Sequence, residues 1–543
     1  NLKFPFIFFS VYFFIGLLIY KDFGIGIEEH FQRKNGFYWL NQFFVFFELE
    51  TFSNLATNKY QEILFEYPLL PDINYFNFYG VIFDLPLAFI EILFSIEDSK
   101  IYFHLRHLSI FLIFFLSSIS FYQILKKRFN KNSVIFLGVL FYIGTPRIFG
   151  DSFHNNKDIL FLSLLTLSVY FLFRFFIESK NKHLILFCLF SALATSSRIM
   201  GIYLPILTIF FLFIEYLNKK NNLFFLAQQV TKIIFLYLFF LYLHYPYIWE
   251  LNIFEFSSWF KKFFYWMDIK VLFDGEYYSI KYLPRTYLPF WIFISTPFII
   301  LFFSVLGFII LAKRFFVRLL NIKDKKIINC DFWQTNKEKM DVFILLSFSI
   351  FFTYAIFLNV AMLSGWRHFY FLHLFLSYFA ALSLNNYLNY FRKKIKTVYE
   401  YSLCVLIGFF LAYQNIKFHP YQSLYFNEFL SKKKIENFQV DTPSLSRSHA
   451  LNYIFSKESK KEKIYVANSS WTPFKNGKDM LTENQKSKFI FVGQEFDKAD
   501  YIYTNYIYKT DEKYNKNYNI PVEFKKIQEY FVGDIKIFTI YKK

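Results

Sequence analysis

The sequence has few cysteines and few charges, and it lacks the short motifs of most nucleotide-dependent enzymes. It has three cysteines in 543 residues, and no pair suggests a disulfide or a metal site. No GxxxxGKS/T loop occurs, and no GxGxxG follows a strand, so no nucleotide cradle is expected. Asp-x-Asp, the usual metal clamp for a nucleotide-sugar diphosphate, is also absent, as are HExxH and a nucleophile elbow.

Long apolar runs dominate instead. Hydrophobic residues make up 55% of the chain and charged residues only 19%. A helix needs ~20 apolar residues to cross the hydrocarbon core of a bilayer. The sequence therefore predicts an α-helical polytopic membrane protein with about eleven spans, at 4–20, 101–124, 133–149, 159–178, 184–198, 199–217, 226–247, 288–311, 342–361, 368–388 and 398–416.

Two apolar segments need separate treatment. Residues 4–20 could be the core of a signal peptide, but no small-residue cleavage site follows, so a first spanning helix is expected. The run 76–96 contains Asp84, Pro86 and Glu91, which suit a helix lying along the membrane interface. It is therefore left out of the predicted spans.

The basic loops fix the predicted topology. With the N-terminus in the cytoplasm, the loops 125–132, 179–183, 218–225, 312–341 and 389–397 all fall on the cytoplasmic side, as the positive-inside rule requires. The net charge of +19 is explained by this topology and by anionic lipid, so no nucleic-acid partner is expected. The prediction is a bacterial inner-membrane protein with membrane lipids as partners and its C-terminus in the periplasm.

The composition changes after residue 440. A helix is predicted at 444–456, and the alternating runs 464–468, 488–493, 500–508 and 533–542 predict strands. We therefore expect a transmembrane domain over 1–440, with a first outside loop at 21–100, and a small soluble α/β domain over 441–543.

Two outside loops contain candidate catalytic groups. Glu28 and Glu29 follow the first span, and adjacent carboxylates raise one another's pKa toward the range of a general base. The alternative is a solvated loop. The segment 145–158, TPRIFGDSFHNNKD, concentrates ionisable groups between two spans, where such groups usually serve a function. Its candidate site residues are Asp151, His154, Asn155, Lys157 and Asp158.

Three further motifs lie at outside helix ends. Arg198, between two short spans, could hold a lipid phosphate. Arg367 and His368 beside Trp366 suit a phosphate or sugar contact. The segment 418–428, with His419 and Tyr421, has the polar-aromatic mix found where sugars bind. For Arg198 the alternative is a simple turn anchor, and for Arg367 and His368 it is an aromatic belt with an arginine anchor. For the segment 145–158 the alternative is anchoring at the membrane interface.

In this order the motifs resemble the membrane C-type glycosyltransferase superfamily. They are the first-loop acid pair, the outside amphipathic helix, PRIFG-D-SF-N-KD, SRIMGI-LP, GWRHFYF and HPYQ-YFN. In particular, they resemble the bacterial family 39 proteins, which are like the dolichyl-phosphate-mannose–protein mannosyltransferases. Relatives include the protein O-mannosyltransferases and the lipid A aminoarabinose transferases. Glu28 stands where the family usually has Asp.

The resemblance implies a first-loop carboxylate as catalytic base, with Asp151 and its neighbours lining the same cavity. The expected reaction moves a sugar from a polyprenyl-phosphate donor to a protein, lipid or glycan acceptor in one inverting displacement. Arg198 and Arg367, with His368 or Lys157, would neutralise the leaving phosphate. No cofactor is expected, and a divalent metal is possible but not indicated.

Other functions remain open at this point. A polymerase or ligase of lipid-linked glycans would also use basic and aromatic groups on the outer face. A secondary transporter would place ionisable residues deep in the membrane. A non-catalytic scaffold that binds lipid glycans is the third alternative. Convergence of Glu28 or Glu29, Asp151 and Arg367 on one outside cavity would favour a transferase over all three.

Overall fold

A computed structural model describes residues 3–75, 78–218, 220–249, 255–263, 269–320, 332–358, 360–390, 397–508 and 518–543. Cys330, the segments 321–331 and 391–396 of two basic loops, and parts of the loop 248–287 lie outside these ranges. The protein is mostly helical, at 67%, with a small sheet region at its C-terminus.

Six helices are long and apolar enough to cross a bilayer, by length and composition, among the described residues. Two further apolar helices, Lys3–Ile19 and Asn132–Gly144, are shorter. The count of eleven spans therefore stays a prediction. The membrane-spanning candidates are Ser99–Arg128, Asp158–Glu178, Ile199–Leu217, Leu223–His244, Phe298–Leu320 and Asn336–Phe357.

Most helices before residue 440 follow the predicted runs with shifted ends, but those over 29–46 and 50–66 lie in the predicted outside loop 21–100, where no helix was predicted at these positions. The helices of this region follow in chain order. They are α1 (Lys3–Ile19), α2 (Glu29–Phe46), α3 (Glu50–Glu66), α4 (Asp84–Leu93), α5 (Ser99–Arg128), α6 (Asn132–Gly144), α7 (Pro146–Asp151), α8 (Asp158–Glu178), α9 (Asn181–Ser197), α10 (Tyr203–Leu217), α11 (Leu223–His244), α12 (Pro246–Trp249), α13 (Phe256–Lys262), α14 (Tyr287–Ser295), α15 (Phe298–Leu320), α16 (Asn336–Phe357), α17 (Leu372–Tyr390), α18 (Thr397–Lys417) and α19 (Lys432–Ile435).

Exposed apolar faces indicate which helices meet lipid. On α11, Phe224, Phe235 and Leu243 are more than half exposed, and α15 exposes Ile309 and Phe316. A soluble protein rarely exposes contiguous apolar patches of this kind, because apolar surface in water is unfavourable. These faces support a membrane protein.

Two predicted spans are interrupted by proline. The run 288–311 forms two helices, α14 and α15, with the break at Thr296 and Pro297. The run 133–149 likewise divides into α6 and α7 before Pro146. Proline has no N–H for the helix ladder and its ring disfavours the helical conformation of the preceding residue, so one continuous helix was the wrong prediction in both cases.

The predicted interface helix is shorter than expected and its acids point inward. Among the described residues of this run, 78–96, only α4 is α-helical, and Asp84 and Glu91 are buried. Asp84 accepts a hydrogen bond from Arg106 (2.5 Å), and Glu91 accepts one from Arg33 (2.8 Å). Charge pairing makes this burial possible, and sequence alone does not reveal it.

The C-terminal region is a five-stranded mixed sheet packed on helix α20 (Ser446–Lys457). The strand order is β4-β3-β5-β7-β6, with β3 parallel to β4 and β5, and β7 antiparallel to both β5 and β6. All four predicted strands and the helix are present, and β6 was missed. The remaining elements are β1 (Lys270–Phe273) and β2 (Glu276–Ser279), which form a hairpin, β3 (Ile464–Asn468), α21 (Glu483–Lys486), β4 (Phe489–Phe491), β5 (Tyr501–Thr504), β6 (Lys525–Val532) and β7 (Ile535–Lys542).

The sheet region is joined to the first loop by hydrogen bonds. The backbone N–H of Ile27 donates to Pro443 (2.9 Å), and the guanidinium of Arg447 donates to the carbonyl of Ile25 (2.8 Å). The buried imidazole of His30 lies 2.8 Å from Asp479. The segment 25–30, which contains the predicted acid pair, is thus held by residues from beyond position 440.

Candidate active site

The two first-loop glutamates occupy different environments. Glu29, in the first turn of α2, is 2% exposed. Its Oε1 accepts a hydrogen bond from the backbone of Gly26 (2.6 Å) and lies 3.2 Å from Nε2 of His107. The Glu29 carboxylate therefore closes the turn at the start of α2.

Glu28 faces outward from the turn. Its side chain is 37% exposed and forms an ion pair with Arg367, which precedes α17. Burial acts to raise the pKa of Glu28, but the positive charges of Arg367 and Lys157 outweigh it and the net pKa is lowered. Glu28 is therefore an ionised carboxylate at neutral pH.

Both glutamates line one cavity together with residues distant in sequence. We call this the catalytic cavity. Six of the twelve predicted site residues line it, namely Glu28, Glu29, Asp151, His154, Asn155 and Arg367. Lining residues that the sequence did not single out as site residues include Gln32, Arg147, Asn156, Ser364, Tyr370, Ser423, Thr442 and Pro443.

Asp151 lies at the end of α7, opposite the first loop. The amide of Asn155 donates to Oδ2 of Asp151 (3.0 Å) and to Oδ2 of Asp158 (3.1 Å). Oδ1 of Asp151 has no hydrogen-bond partner among the described residues and lies 3.5 Å from Nε2 of His154. Burial raises the pKa of Asp151 to about 6, with Asn155 opposing the shift.

His154 is uncharged in this environment. Burial lowers its pKa to about 3, and the positive charge of Arg367 adds to that effect. His154 therefore contributes a polar ring but no cation at neutral pH. The cations of the site are the arginines.

Behind the cavity, Asp158 joins two arginines. Arg198 donates to Oδ1 of Asp158, and Nε of Arg367 lies 3.9 Å from Oδ2. The Nε–H groups of both arginines have no hydrogen-bond partner among the described residues. A buried donor without a partner is unfavourable by about 1–3 kcal/mol, so these groups suit an oxyanion ligand.

Two of the predicted phosphate contacts lie around this cluster rather than on the cavity wall. Nζ of Lys157 is 3.4 Å from the centre of the Tyr79 ring. Burial, together with charge repulsion from Arg198, lowers the pKa of Lys157 to about 7. His368 is buried beside Arg367 and does not line the catalytic cavity.

Arg147 contacts a backbone carbonyl and two aromatic rings. Its Nε donates to the carbonyl of Tyr425 (2.9 Å), and its guanidinium lies 5.1 Å from Trp291 and 5.0 Å from Phe426. The sequence offered one sign of it, its place in the segment 145–158. Asn156 lies in the same segment and Tyr370 in the motif GWRHFYF, whereas Thr442 and Pro443 lie in no predicted motif.

His419 and Tyr421 lie around a different cavity. His419 pairs with Asp22 (2.9 Å), and the Tyr421 hydroxyl is 3.2 Å from Nδ1 of His449. We call this space the second cavity; it is lined by residues 21–24, Lys100, His104, residues 420–421, Leu445, Ser448, His449, Asn452 and Met480. The motif 418–428 is therefore divided, since Ser423 lines the catalytic cavity.

Among the described residues, no group of three or more His, Cys, Asp or Glu side chains could hold a metal ion. The acids of the catalytic cavity are instead paired with arginine, asparagine or backbone N–H groups. The prediction of a cofactor-free reaction is not tested by this arrangement.

Comparison with known proteins adds one match. The family model of the dolichyl-phosphate-mannose-protein mannosyltransferases matches residues 85–244. No curated protein matches the sequence. The matched region contains Asp151, His154, Asn155, Lys157, Asp158 and Arg198 of the predicted site, whereas Glu28 and Arg367 lie outside it. The resemblance inferred from the motifs is confirmed over residues 85–244, and it supports a membrane glycosyltransferase of the mannosyltransferase type.

Proposed function

We propose that the protein transfers a sugar from a polyprenyl-phosphate donor to a hydroxyl acceptor at the periplasmic face of the inner membrane. The observation that carries this proposal is the meeting of Glu28, Asp151 and Arg367 at one cavity. These residues come from the first loop, the α7–α8 junction and the start of α17. A base, a second carboxylate and a cation for phosphate are the groups that such a reaction needs.

Glu28 is the proposed base. The acceptor oxygen attacks the anomeric carbon, and its proton passes to the Glu28 carboxylate. The bond between the anomeric carbon and the phosphate oxygen breaks, and its electron pair leaves with the phosphate. One displacement of this kind inverts the anomeric centre.

Donor binding would activate Glu28. In the free protein Arg367 pairs with Glu28 and helps to lower its pKa. A donor phosphate that takes over the Arg367 guanidinium compensates that positive charge. The proton affinity of Glu28 then rises, and the carboxylate is released for the acceptor hydroxyl.

The leaving phosphate is the proposed ligand of the arginine cluster. Arg198 and Arg367 each retain an Nε–H without a partner among the described residues, and Lys157 lies near both. Fixed cations beside developing negative charge stabilise a transition state without reorganisation. In this scheme Asp158 holds the two arginines in place, and Asn155 connects Asp158 to Asp151.

Asp151 is the proposed acceptor-orienting group. Its Oδ1 has no hydrogen-bond partner among the described residues and can accept from an acceptor hydroxyl. Glu29 has a different role in this proposal, because its carboxylate already binds the Gly26 backbone. It positions the turn that presents Glu28.

A transfer assay tests the proposal directly. The purified full-length protein is incubated with a panel of polyprenyl-phosphate sugars and bacterial membrane extract, and consumption of each donor is followed. We expect consumption of at least one donor, with an inverted anomeric configuration in the product. No consumption of any member, or retention of configuration, would contradict the proposal.

A further inference from the structure

Three segments of the chain separate the catalytic cavity from the second cavity. In each segment, some residues line the second cavity and residues close to them in sequence line the catalytic cavity. Phe23, Gly24, Tyr421 and Leu445 line the second cavity. Gly26–Glu29, Ser423, Thr442 and Pro443 line the catalytic cavity. The two cavities are therefore direct neighbours.

Phe23 forms part of the wall between the two cavities. Its ring stacks on Phe153 at 4.6 Å and lies 6.2 Å from the ring of His154, which lines the catalytic cavity. Gly24 packs closely against Leu445, whose carbonyl oxygen would lie only 2.2 Å from a Cβ placed on Gly24. The first loop and the segment 442–445 are thus packed closely between the two spaces.

The second cavity is the larger of the two. Its empty volume is about 840 Å³, against about 470 Å³ for the catalytic cavity. Nothing in the proposed reaction uses this space, although the predicted substrate-binding residue Tyr421 lines it and His419 pairs with Asp22 of its wall. A site for part of a substrate therefore remains to be assigned.

The charge of the second cavity is positive. Lys21 and Lys100 line it, and neither ammonium group has an ion-pair partner among the described residues. The one acidic side chain on its described walls, Asp22, is paired with His419. Ser448, Asn452 and the Tyr421–His449 pair add neutral polar groups opposite the lysines.

The lysines also lie where lipid meets water. Lys21 follows the end of the apolar helix α1, and Lys100 is in the first turn of the spanning candidate α5. On the predicted outer side, lysines at span ends are disfavoured by the positive-inside rule. Two of them facing one cavity suggest a binding function rather than a topological one.

We propose that the second cavity binds a phosphate group of the acceptor and that this acceptor is attached to the membrane. The proposal rests on the proposed function and names the acceptor's chemistry. Lysine binds phosphate as a compact point charge, and two lysines suit a phosphomonoester or a phosphodiester. An acceptor anchored there holds its adjoining group beside the loop that contains Glu28.

Binding to full-length protein in phosphatidylcholine nanodiscs tests this proposal without requiring transfer. The probes are phosphatidic acid, as a membrane phosphomonoester, and glucose 1-phosphate, as a soluble one. The test variant is Lys21→Ala with Lys100→Ala, and a Lys21→Arg, Lys100→Arg variant keeps the charge. The control is Lys261→Ala with Lys270→Ala. Both lysines are exposed and lie in another predicted outside loop, and the double substitution removes the same net charge as the test variant.

We expect phosphatidic acid affinity to fall about tenfold in the alanine test variant, to recover in the arginine variant, and to remain at the wild-type level in the control. Equal affinities in the test and control variants would overturn the assignment of the cavity. Lysine-dependent binding of glucose 1-phosphate alone would overturn membrane attachment.

Kinetics then separate this proposal from the proposed function. Once a donor is found, the alanine test variant should raise the KM for the acceptor about tenfold with little change in the KM for the donor. A rise in donor KM instead would contradict the acceptor role. Absence of transfer with any donor would contradict the proposed function, while the nanodisc result would still decide whether the cavity binds phosphate.

Discussion

Two buried charge clusters lie toward opposite ends of α5, and they differ in how completely their hydrogen bonds are satisfied. At the end of α5, Asp341 accepts four hydrogen bonds, two from Arg128 (both 2.8 Å), one from Arg314 (2.6 Å) and one from Tyr378 (2.6 Å). Near the beginning of α5, Oδ1 of Asp151 and the Nε–H groups of two arginines have no such partner among the described residues.

This difference separates structural charge from functional charge. Both clusters are buried and both combine acids with arginines, so burial and charge alone would mark either as a site. The Asp341 cluster uses both carboxylate oxygens, and its residues line neither the catalytic cavity nor the second cavity. The cluster around Arg367 retains unused donors beside a cavity, and unused polar groups are the ones that can bind a ligand.

The largest expected effect is on catalysis at the Arg367 cluster. Glu28→Gln keeps the shape of the side chain and removes the basic carboxylate, so kcat should fall roughly 10²–10⁴-fold. Thermal stability should change little, because Glu28 is partly exposed. The matched control is Glu29→Gln. This substitution loosens the turn at Gly26 and, unlike Glu28→Gln, should lower thermal stability. Full activity in Glu28→Gln would remove Glu28 as the base.

The next effect is on stability at the Asp341 cluster. Asp341→Asn leaves Arg128 and Arg314 without their buried counter-charge, and breaking such a pair reduces stability by about 3–5 kcal/mol. Tyr378→Phe removes one hydrogen bond and should reduce it by about 1 kcal/mol. Thermal unfolding in detergent measures both changes. If Asp341→Asn leaves stability unchanged but impairs donor binding, the contrast between the two clusters is wrong.

The sequence predicted the charged residues of the site better than the other residues that line the catalytic cavity. Glu28, Asp151 and Arg367 were identifiable because each is ionisable and lies beside an apolar run. Thr442 and Pro443 carry no such signal, since they reach the cavity only through packing between distant segments. The difference between Glu28 and Glu29 was also not predictable, because it depends on His107, 78 positions away, and on the fold of the turn at Gly26.

The fold shows the same division. Apolar length predicted the helices of the long apolar runs but missed α2 and α3, which contain many polar residues, and alternation predicted four strands of the C-terminal sheet. Pro146 and Pro297 are visible in the sequence, but the continuous apolar pattern around them favoured one uninterrupted helix in each case. The burial of Asp84 depends on Arg106 as its partner, and one sequence without a structure does not pair them.

Binding of the sugar donor should weaken when the unpaired Nε–H groups of the arginines are removed. Arg367→Ala removes the guanidinium that the proposal assigns to phosphate, and donor affinity should fall roughly 10- to 100-fold, more than acceptor affinity. Arg367→Lys keeps the charge but loses the planar donor set, so an intermediate loss is expected. Titration with the donor identified in the transfer assay measures both variants. An unchanged donor affinity in Arg367→Ala would contradict the phosphate role.

The smallest effect distinguishes the two carboxylates of the catalytic cavity by pH. The pKa of Asp151 is raised to about 6, so the ionised fraction, which alone can accept a hydrogen bond on both oxygens, falls as the pH drops from 7 to 5. The pKa of Glu28 is lowered, so Glu28 remains ionised over this range. We expect kcat/KM to fall roughly tenfold between pH 7 and pH 5, with a midpoint near 6. Asp151→Asn should lower the rate at pH 7 and abolish this acid limb. If the limb persists in Asp151→Asn, a different group titrates there, and the unsatisfied oxygen of Asp151 would no longer distinguish the Arg367 cluster from the saturated cluster at Asp341.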